Sequence, residues 1–173
     1  MDSSNGNEKL KQQIESLRSS NRRAILDTLK ELRFEGDVSV LPELFNLMLD
    51  QEDMEILDEI CALLNDLKEK EAAEILAEAI RNPEYKEIQI PLLAACWQNG
   101  LSYGKHLNTF IEVVVSGDYT AAIEAFTVIE EAAGELEQEE RARLAHSLKS
   151  IRRKVEDQKQ PLFAELVRVI ELH

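Results

Sequence analysis

The segment Arg23-Ala-Ile-Leu-Asp-Thr-Leu-Lys-Glu-Leu32 recurs 31 residues later as Met54-Glu-Ile-Leu-Asp-Glu-Ile-Cys-Ala-Leu63. Ile25, Leu26, Asp27 and Leu32 fall on Ile56, Leu57, Asp58 and Leu63. The same shift sets Leu44-Phe45 on Ile75-Leu76 and Met48 on Ala79. A shift of 34 brings Tyr85 onto Tyr119 and Leu92 onto Phe126. A shift of 35 brings Ala72, Ile75 and Ala79 onto Leu107, Phe110 and Val114. Repetition at a period of 31–35 residues leaves few folds open, because one such unit cannot bury its apolar face alone and must stack on its neighbours.

The apolar residues recur three or four apart along almost the whole chain, which is the helical period. Ile111-Glu-Val-Val-Val115 alone resembles a strand, and it continues a helical pattern begun at Leu107 and Phe110. Caps and breakers then predict ten helices. The first runs from about Asn7 to Arg18. The second is capped within Ser19-Ser20-Asn21 and ends at Gly36, and the third is capped by Ser39 with Pro42 in its first turn. The fourth starts at Asp50–Asp53, and the fifth spans about Glu69 to Arg81. Asn82-Pro83 opens the sixth, in which Pro91 either makes a kink or marks the true start. A loop over Gly100–Gly104 precedes the seventh. Gly117-Asp118 precedes the eighth, about Tyr119 to Ala133. The ninth spans about Gln138 to Asp157, and Pro161 starts the tenth.

The predicted fold is all-α, an α-α superhelix of about five helix hairpins in one domain over 1–173. Residues 1–20 form an N-terminal capping helix, 21–134 the repeats and 135–173 the C-terminal capping helices. Leu41-Pro-Glu-Leu-Phe-Asn-Leu-Met-Leu, Asp53-Met-Glu-Ile-Leu-Asp-Glu-Ile-Cys-Ala-Leu-Leu and Ala121-Ala-Ile-Glu-Ala-Phe-Thr-Val-Ile resemble the helix pairs of the HEAT-like (armadillo/HEAT type) repeat family. The resemblance covers about Asn21 to Gly134. It implies a solenoid whose second helices line one face and bind other proteins.

The residue types needed for catalysis do not gather in the sequence. His106, His146 and His173 are never three or four residues from another His or a Cys, so zinc-ligand spacing is absent. The paired His-Glu dipeptides with which some HEAT-like enzymes hold di-iron are missing. Gly100-Leu-Ser-Tyr-Gly-Lys-His106 superficially looks like a phosphate loop, but it lacks the Ser or Thr after Lys and follows no strand, so it reads as an interhelical loop. Asp50-Gln-Glu-Asp53 lacks the glycine and distal Glu of a calcium loop. Cys61 and Cys96 sit in apolar helical pattern without a nearby His, which favours buried reduced thiols over nucleophiles or a disulfide. No catalytic residue, cofactor or metal is expected.

Charge supplies the functional signal. Lys and Arg number 20 against 34 Asp and Glu, a formal net charge of −14. Pro42 to Glu140 holds 23 acidic and 5 basic residues, while 1–41 is balanced and 141–173 carries 8 basic against 4 acidic. Phosphate backbones and anionic membranes are recognised through Lys and Arg, so the acidic middle disfavours nucleic acid and membrane partners. No apolar run approaches a membrane span, and no secretory or lipidation signal is seen, so the expected location is cytoplasmic.

The expected function is a non-enzymatic protein–protein interaction scaffold whose partner has a basic surface. Its candidate contact residues are Glu55, Asp58, Glu59, Glu124, Glu130 and Glu131, with Trp97 and Tyr103 as aromatic anchors. Homo-oligomers, or pairing of the acidic section with the basic ninth helix (Arg141, Arg143, Lys149, Arg152, Arg153, Lys154), are also compatible with the charge pattern. Two rivals are a HEAT-like enzyme or small-molecule or metal binder, and a nucleic-acid binder working through that basic helix.

Overall fold

The computed structural model describes residues 2–172, so Met1 and His173 fall outside it, as do the side chains of residues 2–5. The described residues form ten α-helices and no strand: α1 (Asp2–Leu17), α2 (Arg22–Glu35), α3 (Leu41–Asp50), α4 (Met54–Asn65), α5 (Glu71–Arg81), α6 (Gln89–Asn99), α7 (Leu107–Ser116), α8 (Tyr119–Ala132), α9 (Gln138–Ile151) and α10 (Gln160–Leu172). The strand-like Ile111–Val115 is helical within α7, because Phe110, Ile111, Val113 and Val114 are all drawn into the core. Tertiary burial there overrides the β preference of its valines.

Side-chain caps set several boundaries. Asn21 accepts the Ala24 N–H, Asp53 those of Glu55 and Ile56, and Asp118 that of Ala121. The start of α3 differs from expectation: Asp37, rather than Ser39, accepts a backbone N–H, and a 3-10 turn over Val38–Val40 leads in, with Pro42 in the first turn of α3. Asn82-Pro83 opens a 3-10 segment, Pro83–Ile88, and Pro91 marks the true beginning of the sixth helix at Gln89. The ninth helix stops at Ile151 although its apolar stripe runs on to Val155. Gln160 Nε2 donates to the carbonyls of Arg152 and Val155 at 2.9 and 2.8 Å, which holds the chain in turns while Val155 stays buried. Arg152, Arg153 and Lys154 therefore lie on a short 3-10 turn and not on the helix.

The helices stack in two layers. α2, α4, α6, α8 and α10 pack side by side in that order, and α1, α3, α5 and α7 back them, with α9 completing the last hairpin against α10. This order is consistent with a helical superhelix of five hairpins. Its core is a continuous sheet of apolar side chains including Leu29, Leu44, Phe45, Ile60, Leu64, Leu76, Leu92, Phe110, Ile129, Phe163 and Leu166. Burying each such side chain is worth about 1.5–3 kcal/mol.

The repeat period reappears as the spacing of polar links between hairpins. Arg22 Nε donates to Asp53 at 2.6 Å across 31 residues, and Arg33 Nε to Asp66 at 2.5 Å across 33. Asn65 Nδ2 donates to Gln98 Oε1 at 2.9 Å, again across 33. Arg22 also pairs with Glu55. Asp53 is held below the usual carboxylate range chiefly by the Arg22 hydrogen bond. At the far end Lys159 is fully buried, and its Nζ donates to the carbonyls of Val115 at 2.8 Å and Gly117 at 2.7 Å. These are carbonyls at the end of α7 with no partner inside the helix, so the lysine fastens the last hairpin to the fourth.

Candidate functional site: the outer face of α4, α6 and α8

The second-layer helices present their outer sides next to one another. On α4, Glu55 and Asp58 are exposed and Glu59 is half-buried. On α8, Glu130 and Glu131 are exposed and Glu124 is half-buried. The helical period explains this placement: Ile56, Ile60, Leu63 and Leu64 turn inward on α4, as do Ala121, Ala122, Ala125, Val128, Ile129 and Ala132 on α8. The carboxylates occupy the remaining positions. α4 and α8 contain no Lys or Arg, and α6 between them contains no charged residue of either sign.

The six predicted carboxylates thus share one layer surface, but they do not form a single cluster. Glu55 is directed toward α2, where it pairs with Arg22. Glu124 faces α6, accepting the Trp97 indole N–H at 2.8 Å. Glu131 lines a 130 Å³ recess between α6 and α8 together with Trp97 and Leu101. The charge of Glu130 reaches Arg168 of α10, which is itself paired with Glu165. The five basic residues of the middle section lie elsewhere: Lys68 and Lys70 between α4 and α5, Arg81 at the end of α5, and Lys86 and Lys105 in 3-10 turns.

Trp97 and Tyr103 part company. Trp97 is half-buried on the outer face. Tyr103 is only 2 % exposed, so its expected role as a surface anchor is corrected. Its ring meets Phe110 edge-on at 5.5 Å, and its hydroxyl donates to Asn99 Oδ1 at 3.2 Å. Asn99 closes α6, and Gly100 follows with φ of 69°, a left-handed conformation suited to glycine. This reversal folds the loop back over the core and carries Tyr103 inward. Sequence reasoning offered the ring as an anchor because Trp and Tyr dominate interface energies.

The loop that looked like a phosphate cradle does collect an anion, but one belonging to the chain. Glu135 accepts the N–H groups of Tyr103 and Gly104 at 3.3 and 3.0 Å, and the Ser102 hydroxyl as well. The segment is an interhelical loop, as expected, and Glu135 ties it to the turn after α8.

Cys61 and Cys96 are free thiols, half-buried and buried. Burial, and secondarily the charge of Asp58, raises the Cys61 thiol. Burial pushes Cys96 up to about 12. Neither has the lowered pKa of a nucleophile. His106 sits just before α7 and His146 on the exposed side of α9. Among the described residues no three His, Cys, Asp or Glu side chains gather where they could hold a metal ion. No described helix is long and apolar enough to cross a membrane.

The basic C-terminal helix keeps its charges on its own hairpin. Arg141 donates to the Leu136 carbonyl at 2.9 Å, Arg143 pairs with Glu139, and Lys149 pairs with Glu171. Among the described residues, the only ion pair joining this helix to the acidic middle section is Arg143–Glu139, within α9 itself. Comparison with known protein families, with curated proteins and with solved structures finds no match to this chain.

Proposed function

We propose that the chain is a non-enzymatic HEAT-like repeat scaffold that binds another protein with a basic surface through the outer face of α4, α6 and α8. The observation that carries this reading is the charge of that face. Three neighbouring helices of 12, 11 and 14 residues display six carboxylates and not one Lys or Arg. Such a face repels phosphate and anionic lipid and steers a basic surface toward it. The two free thiols support a reducing compartment such as the cytoplasm.

The test compares the immobilised protein with a form carrying Asp58→Lys, Glu59→Lys, Glu130→Lys and Glu131→Lys, its helicity first verified by circular dichroism. Cell extract is passed over both at low salt and at about 0.5 M salt, where surface charges are screened beyond a few ångströms. The expected result is a defined set of basic proteins held by the native face at low salt, released at high salt and missing from the variant. Equal retention by both forms overturns the proposal.

A further inference from the structure

The outer stripe of α6 differs from those of its neighbours. A repeat helix with one face in the core normally turns charged residues to water. α6 has none, and it presents Ile90, Pro91, Ala94, Trp97 and Gln98 instead. Ile90 is 38 % exposed, and Pro91, Ala94 and Trp97 are half-buried. The helix packs on α4, α5, α8 and the turn over Pro83–Ile88; Ile90 and Ala94 lie on its outer side, while Trp97 leans toward Glu124 of α8 and Gln98 toward Asn65 of α4. Ile90, Ala94 and Trp97 stand four and three residues apart in one row of about 10 Å along the axis. Met54 at the start of α4 and Ile123 in α8, 67 % and 41 % exposed, widen the apolar ground on either side. Beyond them come the carboxylates: Asp58 on the α4 side, Glu124 and Glu131 on the α8 side.

From this arrangement, and resting on the scaffold reading above, we infer that the α6 stripe is a docking groove for a basic amphipathic helix of the partner protein. An apolar row flanked by two acid-bearing helices suits a partner helix read at i, i+4 and i+7. Acid on both banks requires Lys or Arg on both flanks of the ligand's apolar face. Trp97 is the main anchor at the end of the row, held in place by Glu124 through its indole N–H. A uniformly basic surface without an apolar stripe satisfies only the banks.

The experiment uses the full chain and a synthetic helical peptide of about four turns, with Leu at i, i+4, i+7 and i+11 and Lys elsewhere. A shuffled peptide of the same composition, with Leu distributed around all sides, serves as control. Trp97 is the only tryptophan in the chain, so its emission reports directly on the stripe. The amphipathic peptide is expected to shift that emission to the blue and to bind at least about tenfold more tightly than the shuffled one by anisotropy of a labelled peptide. Ala94→Glu and Ile90→Lys, each with native helicity and melting behaviour, are each expected to lower its affinity by about tenfold or more. Equal binding of both peptides without an emission shift overturns the groove and leaves the acidic-face reading standing. Failure of both peptides to bind at low salt overturns both readings. If the protein alone self-associates with Trp97 blue-shifted, and Ala94→Glu returns it to monomer, a second copy fills the stripe and the inference falls.

Discussion

The backbone N–H of Gly104 donates to the carboxylate of Glu135 at 3.0 Å, joining the loop before α7 to the turn after α8. A side chain at Gly104 would bring its Cβ to 2.8 Å from Glu135 Oε2, so the approach depends on glycine. Glu135→Ala removes an acceptor shared by Ser102, Tyr103 and Gly104 and should cost about 1–2 kcal/mol, in line with hydrogen bonds to a charged group on an exposed edge. Gly104→Ala should cost a similar amount by displacing the carboxylate. The double variant should be little worse than either single one, because both break the same tie. Urea unfolding midpoints check this, and additive losses would show that the two residues act independently.

Lys159 is expected to matter more than any surface charge. Lys159→Met keeps the volume of the stem but leaves the Val115 and Gly117 carbonyls without their donor. A loss of about 2–4 kcal/mol should follow. Hydrogen exchange should show the deficit first in α9 and α10, the hairpin that this lysine fastens. Uniform loss of protection along the chain would contradict that account.

The polar links between hairpins should contribute little by themselves. Arg22 pairs with Asp53 and Glu55 in the open, its side chain 54 % exposed, and such exposed pairs contribute little. Leu64→Ala, at a position with no exposure, should cost about 2–5 kcal/mol. Thermal melts of Arg22→Ala and Leu64→Ala should therefore differ widely. Near-equal losses would mean that the ladder, and not the apolar sheet, holds the stack together.

Alkaline pH should destabilise the fold through Cys96. Its thiol ionises near the ordinary 9.0 when unfolded but only at about 12 in the folded chain, where burial penalises the thiolate. The unfolded state releases the proton first. Stability is therefore whole below pH 9 and falls by up to about 1.4 kcal/mol per pH unit between 9 and about 12. Burial also raises the neighbouring Tyr103 hydroxyl, which adds to the decline above pH 10. Cys96→Ala should show a shallower alkaline slope whatever its stability at neutral pH. An unchanged slope would remove Cys96 as the cause.

Local physics made much of this fold readable from the chain. The period fixed the pairing of hairpins, and Asn21, Asp53 and Asp118 announced their helix starts because a cap is a contact within four residues. The carboxylates of α4 and α8 were placed outward by the same period that placed Ile60 and Ile129 inward. What the sequence hid depended on distant partners. Lys159 reads as a solvated charge until two carbonyls more than 40 residues earlier meet it. Tyr103 reads as a loop aromatic until Asn99 and Phe110 enclose it. The ninth helix reads as longer because Val155 keeps the stripe's spacing, while the Gln160 side chain ends it from beyond. The uncharged outer side of α6 was present in the sequence all along, but its meaning needed the acidic helices on either side.

Because each hairpin is bonded mainly to the one before and the one after, the molecule has the mechanics of a short chain of links. Drawn apart by its ends, it should yield one hairpin at a time, each step releasing a similar length of about 31–35 residues. Lys159 acts as a rivet at one end, so a pull from the C-terminus meets its resistance first.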